Sequence, residues 1–395
     1  IVFGDWSSDV CSSDLPEPLR TLLSLPTAPF VESAVLSYVE TACRKLAGVR
    51  VRYDRHGNLL AHYRGSPPQP APLAFVAHTD HPGFIALEMR DRRSVRAAFH
   101  GGVRPEYVTG ARVRFWSAGR WVPGRVAALS KMVRVTDVPG WTARVVEALV
   151  RVSEPVDSGA PGMWDLPDPA LKDDLVTARG CDDLAGCAAM LALLQRLSRR
   201  RARAEVYCLF TRAEEVGFVG AIAAARARTL PKRLPVISIE TSSILVNAPQ
   251  GAGPILRVGD RASVFSPHLT AFCERVARDL GQRRKRFAFQ RKLMDGGTCE
   301  ATSFMAYGYA ATGICLALGN YHNMDKQRER IASESISLRD WQYMVDWFEA
   351  LALDTGDRGP AAQPMRARLD ARYAAYEALL HGNAHPATGR WRSRR

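Results

Sequence analysis

The sequence predicts an α/β protein: a mixed central sheet flanked by helices, with a small β-barrel inserted into it. Three observations carry this. Short apolar runs at 73–77, 206–210, 236–239 and 314–318 have the length and continuity of strands buried on both faces. Stretches of helical periodicity, 183–197 above all, alternate with them. From Gly83 to about Val152 the texture changes to short alternating pieces with Gly-rich turns, as in a small barrel or sandwich.

Taken in order, residues 1–15 are set aside first. Val10-Cys11-Ser12-Ser13-Asp14-Leu15 ends in the translation of the end of a widely used sequencing adapter. The expectation is an assembly artefact, with native sequence beginning near Pro16. Apolar residues at helical spacing (Leu19, Leu22, Leu23, then Val31, Val35, Val39), separated by Pro26 and Pro29, predict two opening helices. Residues 49–53 alternate like a strand, 54–58 are a turn cluster and 59–63 are apolar, which together predict a hairpin. A Pro-rich loop, 67–72, leads to the run at 73–77, which ends in His78-Thr79-Asp80. The segments 111–116 and 121–126 belong to the inserted β-rich part. Residues 338–353 predict a helix with aromatics on its apolar face, and 370–380 one more, followed from His381 by a largely disordered tail. The expected domains are a catalytic body (16–84 and 165–355), an insertion (85–164), and a helix with a basic tail (356–395).

The composition excludes several classes. At 395 residues, with 47% hydrophobic and 24% charged, the chain has the balance of a soluble globular protein. No apolar run approaches the roughly 20 residues that span a bilayer, so a cytoplasmic protein without a membrane partner is expected. The net charge of +14 suggests nucleic acid, yet only seven of the 54 basic residues are Lys, the bias of a GC-rich genome. The basic density is local (199–203, 283–286, 390–395), and no helix-turn-helix, finger or stacking-aromatic signature accompanies it. No nucleic-acid partner is therefore expected. The eight cysteines form no CxxC pair and read as reduced thiols.

The chemistry gathers at the ends of the apolar runs, where open α/β sheets place their ligand crevice. There stand His78, Asp80, Asp182, Glu214, Glu215, Glu240 and His322. Singly, each acid reads as a solvated loop residue and each His as a hydrogen-bonded one. Five segments carrying such donors, with no Lys at those tips, read as one site. The donors suit two divalent ions, Zn²⁺ first, with Co²⁺ or Mn²⁺ as alternatives. Two metals roughly 3.5 Å apart need a bridging carboxylate, a water nucleophile and a spare acid for the proton. Adjacent Glu214 and Glu215 point in different directions on a strand or turn, so one can serve a metal and the other a proton.

The order Ala77-His78-Thr79-Asp80-His81-Pro82-Gly83-Phe84, Gly180-Cys181-Asp182-Asp183-Leu184-Ala185-Gly186, Glu214-Glu215-Val216-Gly217, Ile239-Glu240-Thr241 and Tyr321-His322 resembles the co-catalytic zinc aminopeptidases of the glutamyl and tetrahedral aminopeptidase family. Gly296-Gly297-Thr298 is similar to a further stretch of that family, and the resemblance covers nearly all of residues 16–355. It implies a zinc exopeptidase-like fold acting on peptides, with one metal on His78, Asp182 and Glu240 and a second on Asp182, Glu215 and His322. It makes Glu214 the general base and has Asp80 fix the tautomer and orientation of His78. It also implies a large homo-oligomer. Glu240 stands where the family often has Asp, and Leu184 where a basic residue is common. A deacylase or carboxypeptidase of the related fold is the alternative enzyme; a catalytically silent scaffold is the alternative of another class.

Overall fold

In the computed structural model, which describes residues 15–66, 71–135, 142–356 and 362–382, the opening helices form where the apolar spacing predicts them. Helix α1 (Glu17–Ser24) buries Leu19, Leu22 and Leu23; α2 (Ser33–Arg44) buries Val35 and Val39. The predicted hairpin is β1 (Val49–Tyr53) paired antiparallel with β2 (Leu59–Arg64), and β3 (Leu73–His78) is buried along its whole length.

From Gly83 the chain builds the barrel. Its elements are β4 (Gly83–Asp91), β5 (Ser94–His100), the short helix α3 (Pro105–Val108), β6 (Arg112–Ser117), β7 (Arg120–Arg134), β8 (Ala143–Val152) and β9 (Pro161–Trp164). The strands close in the order β4-β5-β8-β7-β6-β9 around Phe84, Phe99, Phe115 and Trp164. The β6–β7 connection, Ala118-Gly119, has φ of 48° and 75°, the two positive values a type I′ hairpin needs.

The main body resumes with β10 (Ala170–Lys172), β11 (Leu175–Ala178), α4 (Leu184–Arg199), β12 (Glu205–Thr211), α5 (Val219–Ala227), β13 (Val236–Ser243) and β14 (Ile255–Arg257). It continues through α6 (Pro267–Arg283), β15 (Gln290–Lys292), α7 (Glu300–Ala306), β16 (Ala311–Leu318), β17 (Met324–Asp325), β18 (Arg330–Ile331), β19 (Glu334–Ser337) and α8 (Leu338–Leu353). The eight-stranded sheet has the order β1-β2-β12-β3-β13-β16-β14-β15. Its centre, β12-β3-β13-β16, is parallel, while β2 and β14 run antiparallel to their neighbours, which makes it mixed.

Helices cover both faces, so the strands carry apolar residues without alternation. On β3, Phe75 and Ala77 join the core beneath α1, α4 and α8, whereas Ala74 and Val76 join the one beneath α5 and α7. Helix α4 packs against β3, α1 and α8 and is therefore apolar nearly all round. Asp183, expected as its first residue, caps it: the side chain accepts the Gly186 N–H at 3.2 Å.

Helix α9 (Ala362–Gly382) falls in a separate unit from Gly356 onward and is longer than the predicted 370–380. The Arg-rich end beyond 382 and residues 1–14 lie outside the described residues; Leu15 is buried in the main core. Among the described residues no helix is long and apolar enough to cross a membrane, and all seven cysteines are buried and free.

Candidate metal centre

Parallel register brings the candidate residues to one edge of the sheet. Thr211 is paired with His78 and Ser238 with Val76, which sets Glu240, two residues further, level with His78. The sequence places Glu240 at a strand end; β13 in fact runs on to Ser243, because Thr241, Ser242 and Ser243 keep pairing with β16. Asp182 comes from the loop before α4, and His322 from a 3-10 turn, Tyr321–Asn323, after β16.

Two groups of donors result, each drawn together within 4.8 Å: His78, Asp182 and Glu240, and Asp182, Glu215 and His322. His78 Nε2 lies 3.4 Å from Asp182 Oδ1 and 3.8 Å from Glu240 Oε2. His322 Nε2 lies 3.6 Å from Asp182 Oδ2 and 3.3 Å from Glu215 Oε2. Asp182 thus turns one oxygen toward each group. Asp182 Oδ1, Glu215 Oε1 and Glu240 Oε1 are buried and have no hydrogen-bond partner among the described residues. Orphaned buried lone pairs are unfavourable, and a divalent cation is the species that satisfies several at once.

The electrostatics agree. Burial pushes Glu215 up to about 8 and lifts Glu214 well above the carboxylate range, and the neighbouring acids add to both. Burial alone would lower His322, but the carboxylates of Glu215 and Asp182 raise it to about 9. Burial would likewise raise Asp182, yet the His322 and His78 imidazoles beside it hold it far below its usual range. Without a cation, protons and imidazolium charge must balance the acids; bound cations would let all of them ionise.

The turn carrying Glu214 and Glu215 is held by its backbone. Four successive N–H groups are captured by side chains: Arg212 N–H donates to Asn58 Oδ1 (3.1 Å), Ala213 N–H to Glu32 Oε1 (3.0 Å), and Glu214 and Glu215 N–H to the two Asp80 oxygens (3.0 Å each). The Arg212 guanidinium closes on Glu32 Oε2 at 2.8 Å. Asp80 stands beside His78 and also holds this turn. Its backbone carbonyl, 3.1 Å from His78 Nδ1, faces the imidazole, while its carboxylate, 3.6 Å away, fixes the two glutamates. Gly220 lets the helix start against this turn, since a Cβ there would come within 2.2 Å of the Arg212 carbonyl oxygen. Gly220→Ala is expected to destabilise the protein by about 1–3 kcal/mol, read as a lowered thermal midpoint; an unchanged midpoint would mean that the turn can shift freely.

Residues that sequence reasoning missed hold the other candidate ligands. Glu334 Oε2 accepts the Cys181 and Asp182 N–H groups at 2.7 and 3.1 Å. His322 Nδ1–H donates to the carbonyl of Gly102, in the connection following β5, at 2.7 Å, and Tyr321 stacks on the imidazole. The cleft in front of the donors is lined by Glu214, Ser242, Met294, Gly296, Thr298 and Arg257 among others. Arg257 is buried, donates from Nη1 to Ser242 Oγ at 3.2 Å, and has no partner for its Nε.

A mixed sheet whose edge gathers two imidazoles and several buried carboxylates around a cleft fits a metal-dependent hydrolase. The family model of the M42 glutamyl aminopeptidases matches residues 57–336, and the chain belongs to that family. It is a metal-dependent aminopeptidase. A lysyl aminopeptidase of Pyrococcus furiosus is 24% identical over 247 residues, 58% of this chain and 68% of that protein. Among solved structures, an aminopeptidase of the archaeon Desulfurococcus kamchatkensis has a TM-score of 0.68 at 22% identity, covering 85% of this chain and 93% of its own. The TET1 peptidase of Pyrococcus horikoshii has a TM-score of 0.68 at 18% identity, covering 86% and 99%. At such identities the structural likeness speaks for the fold.

Proposed function

We propose that this aminopeptidase uses two divalent ions, Zn²⁺ first and Co²⁺ or Mn²⁺ as substitutes. His78, Asp182 and Glu240 hold one; Asp182, Glu215 and His322 hold the other. The observation that carries the reading is the Asp182 carboxylate, with Oδ1 toward His78 and Oδ2 toward His322. Bound there, the ions supply Lewis-acid polarisation of the scissile carbonyl and acidify water. Glu214 belongs to neither donor group and faces the cleft. It takes the proton of the attacking water and returns it to the leaving amine. Asp80 keeps Glu214 and Glu215 at their stations through the two backbone N–H bonds.

The cleft favours peptides that begin with Asp or Glu. Among the described residues no carboxylate lies within ion-pair distance of Arg257, and nearby Asp260 is engaged by the N–H groups of Ala262, Ser263 and Cys299 and by the Thr302 hydroxyl. A substrate carboxylate would complete the guanidinium. Family membership favours the aminopeptidase over a deacylase or carboxypeptidase, and over a silent scaffold. Hydrolysis of a glutamyl anilide but not of N-acetylglutamate is expected; the reverse would overturn the reading.

The remaining assignments are proposals of the same kind. Residues 16–84 with 165–355 form the catalytic body, 85–164 the insertion and 356–395 an appended helix and basic tail. The enzyme works as a homo-oligomer in the cytoplasm: the Pyrococcus horikoshii peptidase is described as assembling into a tetrahedron or octahedral shell, and free buried thiols suit a reducing compartment. Elemental analysis checks the core of the proposal. Two ions per chain are expected, falling to one or none in Glu215→Ala; undiminished metal in that variant would remove Glu215 from the ligand set.

A further inference from the structure

His81 is fully buried and has no place in the proposed ligand set or proton transfer. Its ring nevertheless meets the segments that carry three of the five ligands. It follows His78 by three residues. Its Nδ1 lies 2.7 Å from the backbone carbonyl oxygen of Asp182 and its Nε2 2.9 Å from Oδ1 of Asn323, the residue after His322, so whichever nitrogen carries the hydrogen of the neutral ring donates to one of these two acceptors. Asn323 is itself clamped, donating from Nδ2 to the carbonyls of Arg179 (2.7 Å) and Ala332 (3.1 Å). The loop backbone packs on the imidazole face, since a Cβ on Gly180 would come within 3.0 Å of His81 Cγ.

The His322 turn needs such a clamp. Asn320, His322 and Asn323 have φ of 53°, 53° and 63°, a region that residues with side chains enter only when their surroundings hold them there. The hydrogen bonds of Asn323, the Gly102 carbonyl on His322 Nδ1 and the bond from Asn320 Nδ2 to the Ser333 carbonyl are among its fixings. Through His81 that turn is joined to Asp182, whose carboxylate must meet the His322 imidazole across an ion.

We infer that His81 is a positioning residue of the metal centre, setting the separation between the Asp182 carboxylate and the His322 imidazole and with it the affinity for the second ion. The inference rests on the ligand set proposed above. Partners behind metal ligands typically change affinity by about 10–100-fold when removed.

Two conservative variants separate the two arms of the ring. His81→Asn keeps an N–H near the Nδ1 position, hence the Asp182 bond, and loses the reach to Asn323; His81→Gln does the opposite. The full-length, Zn²⁺-loaded enzyme is titrated with a chelating indicator, and thermal unfolding is followed separately in excess chelator. In His81→Asn one of two ions is expected to leave about 10–100-fold more readily, with the unfolding midpoint in chelator close to wild type, a combination that general destabilisation does not produce. If wild type holds two ions and both variants release them as wild type does, the inference fails while the ligand set stands. If wild type itself holds fewer than two, the ligand set fails and the inference with it.

Discussion

Glu214→Gln is expected to keep both ions and to lower kcat by about two to four orders of magnitude, with little change in KM. The substitution preserves size and leaves the backbone N–H bond to Asp80 untouched, so the turn should hold its shape. What it removes is the ability to accept a proton. Its neighbour supplies the contrast: Glu215 Oε2 sits 3.3 Å from His322 Nε2, inside the second donor group, so Glu215→Ala should lose metal along with turnover. Elemental analysis and steady-state kinetics on a glutamyl anilide, run on both variants, distinguish the two roles. Equal metal loss in both would mean that the division of labour between these adjacent carboxylates is wrong.

The candidate ligands were legible because of where parallel strands end. An apolar run that ends at a His or an acid, or within four residues of one, marks a residue at the crevice edge: β3 ends at His78, β12 three residues before Glu214 and β16 four before His322. Glu240 was found by the same rule although its strand continues, since Thr241-Ser242-Ser243 read as loop while pairing as strand. The residues that hold the ligands left no such trace. Glu32 meets Ala213 across 181 positions, Glu334 meets Cys181 across 153, and His81 meets Asn323 across 242. Bonds of that span follow from the sheet order and have no counterpart in periodicity or spacing. Arg257 ends a three-residue strand, too short for an apolar run to announce it. Asp80 shows what a resemblance leaves out: beyond its place beside His78, its carboxylate accepts the two N–H groups of the glutamate turn.

Arg257→Met is expected to lower kcat/KM for glutamyl and aspartyl anilides by about 30-fold or more, and to leave that for a leucyl anilide unchanged or raised. Arg257 is 3% exposed, lines the cleft and has an unpartnered Nε, so a carboxylate arriving with the substrate meets a guanidinium already stripped of water. Truncating one member of such a desolvated pair typically costs about 2–5 kcal/mol, and each 1.4 kcal/mol is about a factor of ten. Met suits the position because the stem is closely packed: a Cβ on Gly313 would come within 3.1 Å of Arg257 Cδ. A linear apolar side chain keeps that contact while removing the charge. A neutral first residue gains nothing from the guanidinium, whose charge is met by the nearby Glu240 and Asp260 carboxylates, so binding of leucine at that place should not suffer. The informative quantity is the ratio of the two specificity constants, measured with metal content held at the wild-type level. A parallel fall for acidic and leucyl substrates would assign Arg257 to the upkeep of the Glu240 region, and the preference for acidic N-termini would have to come from elsewhere in the cleft.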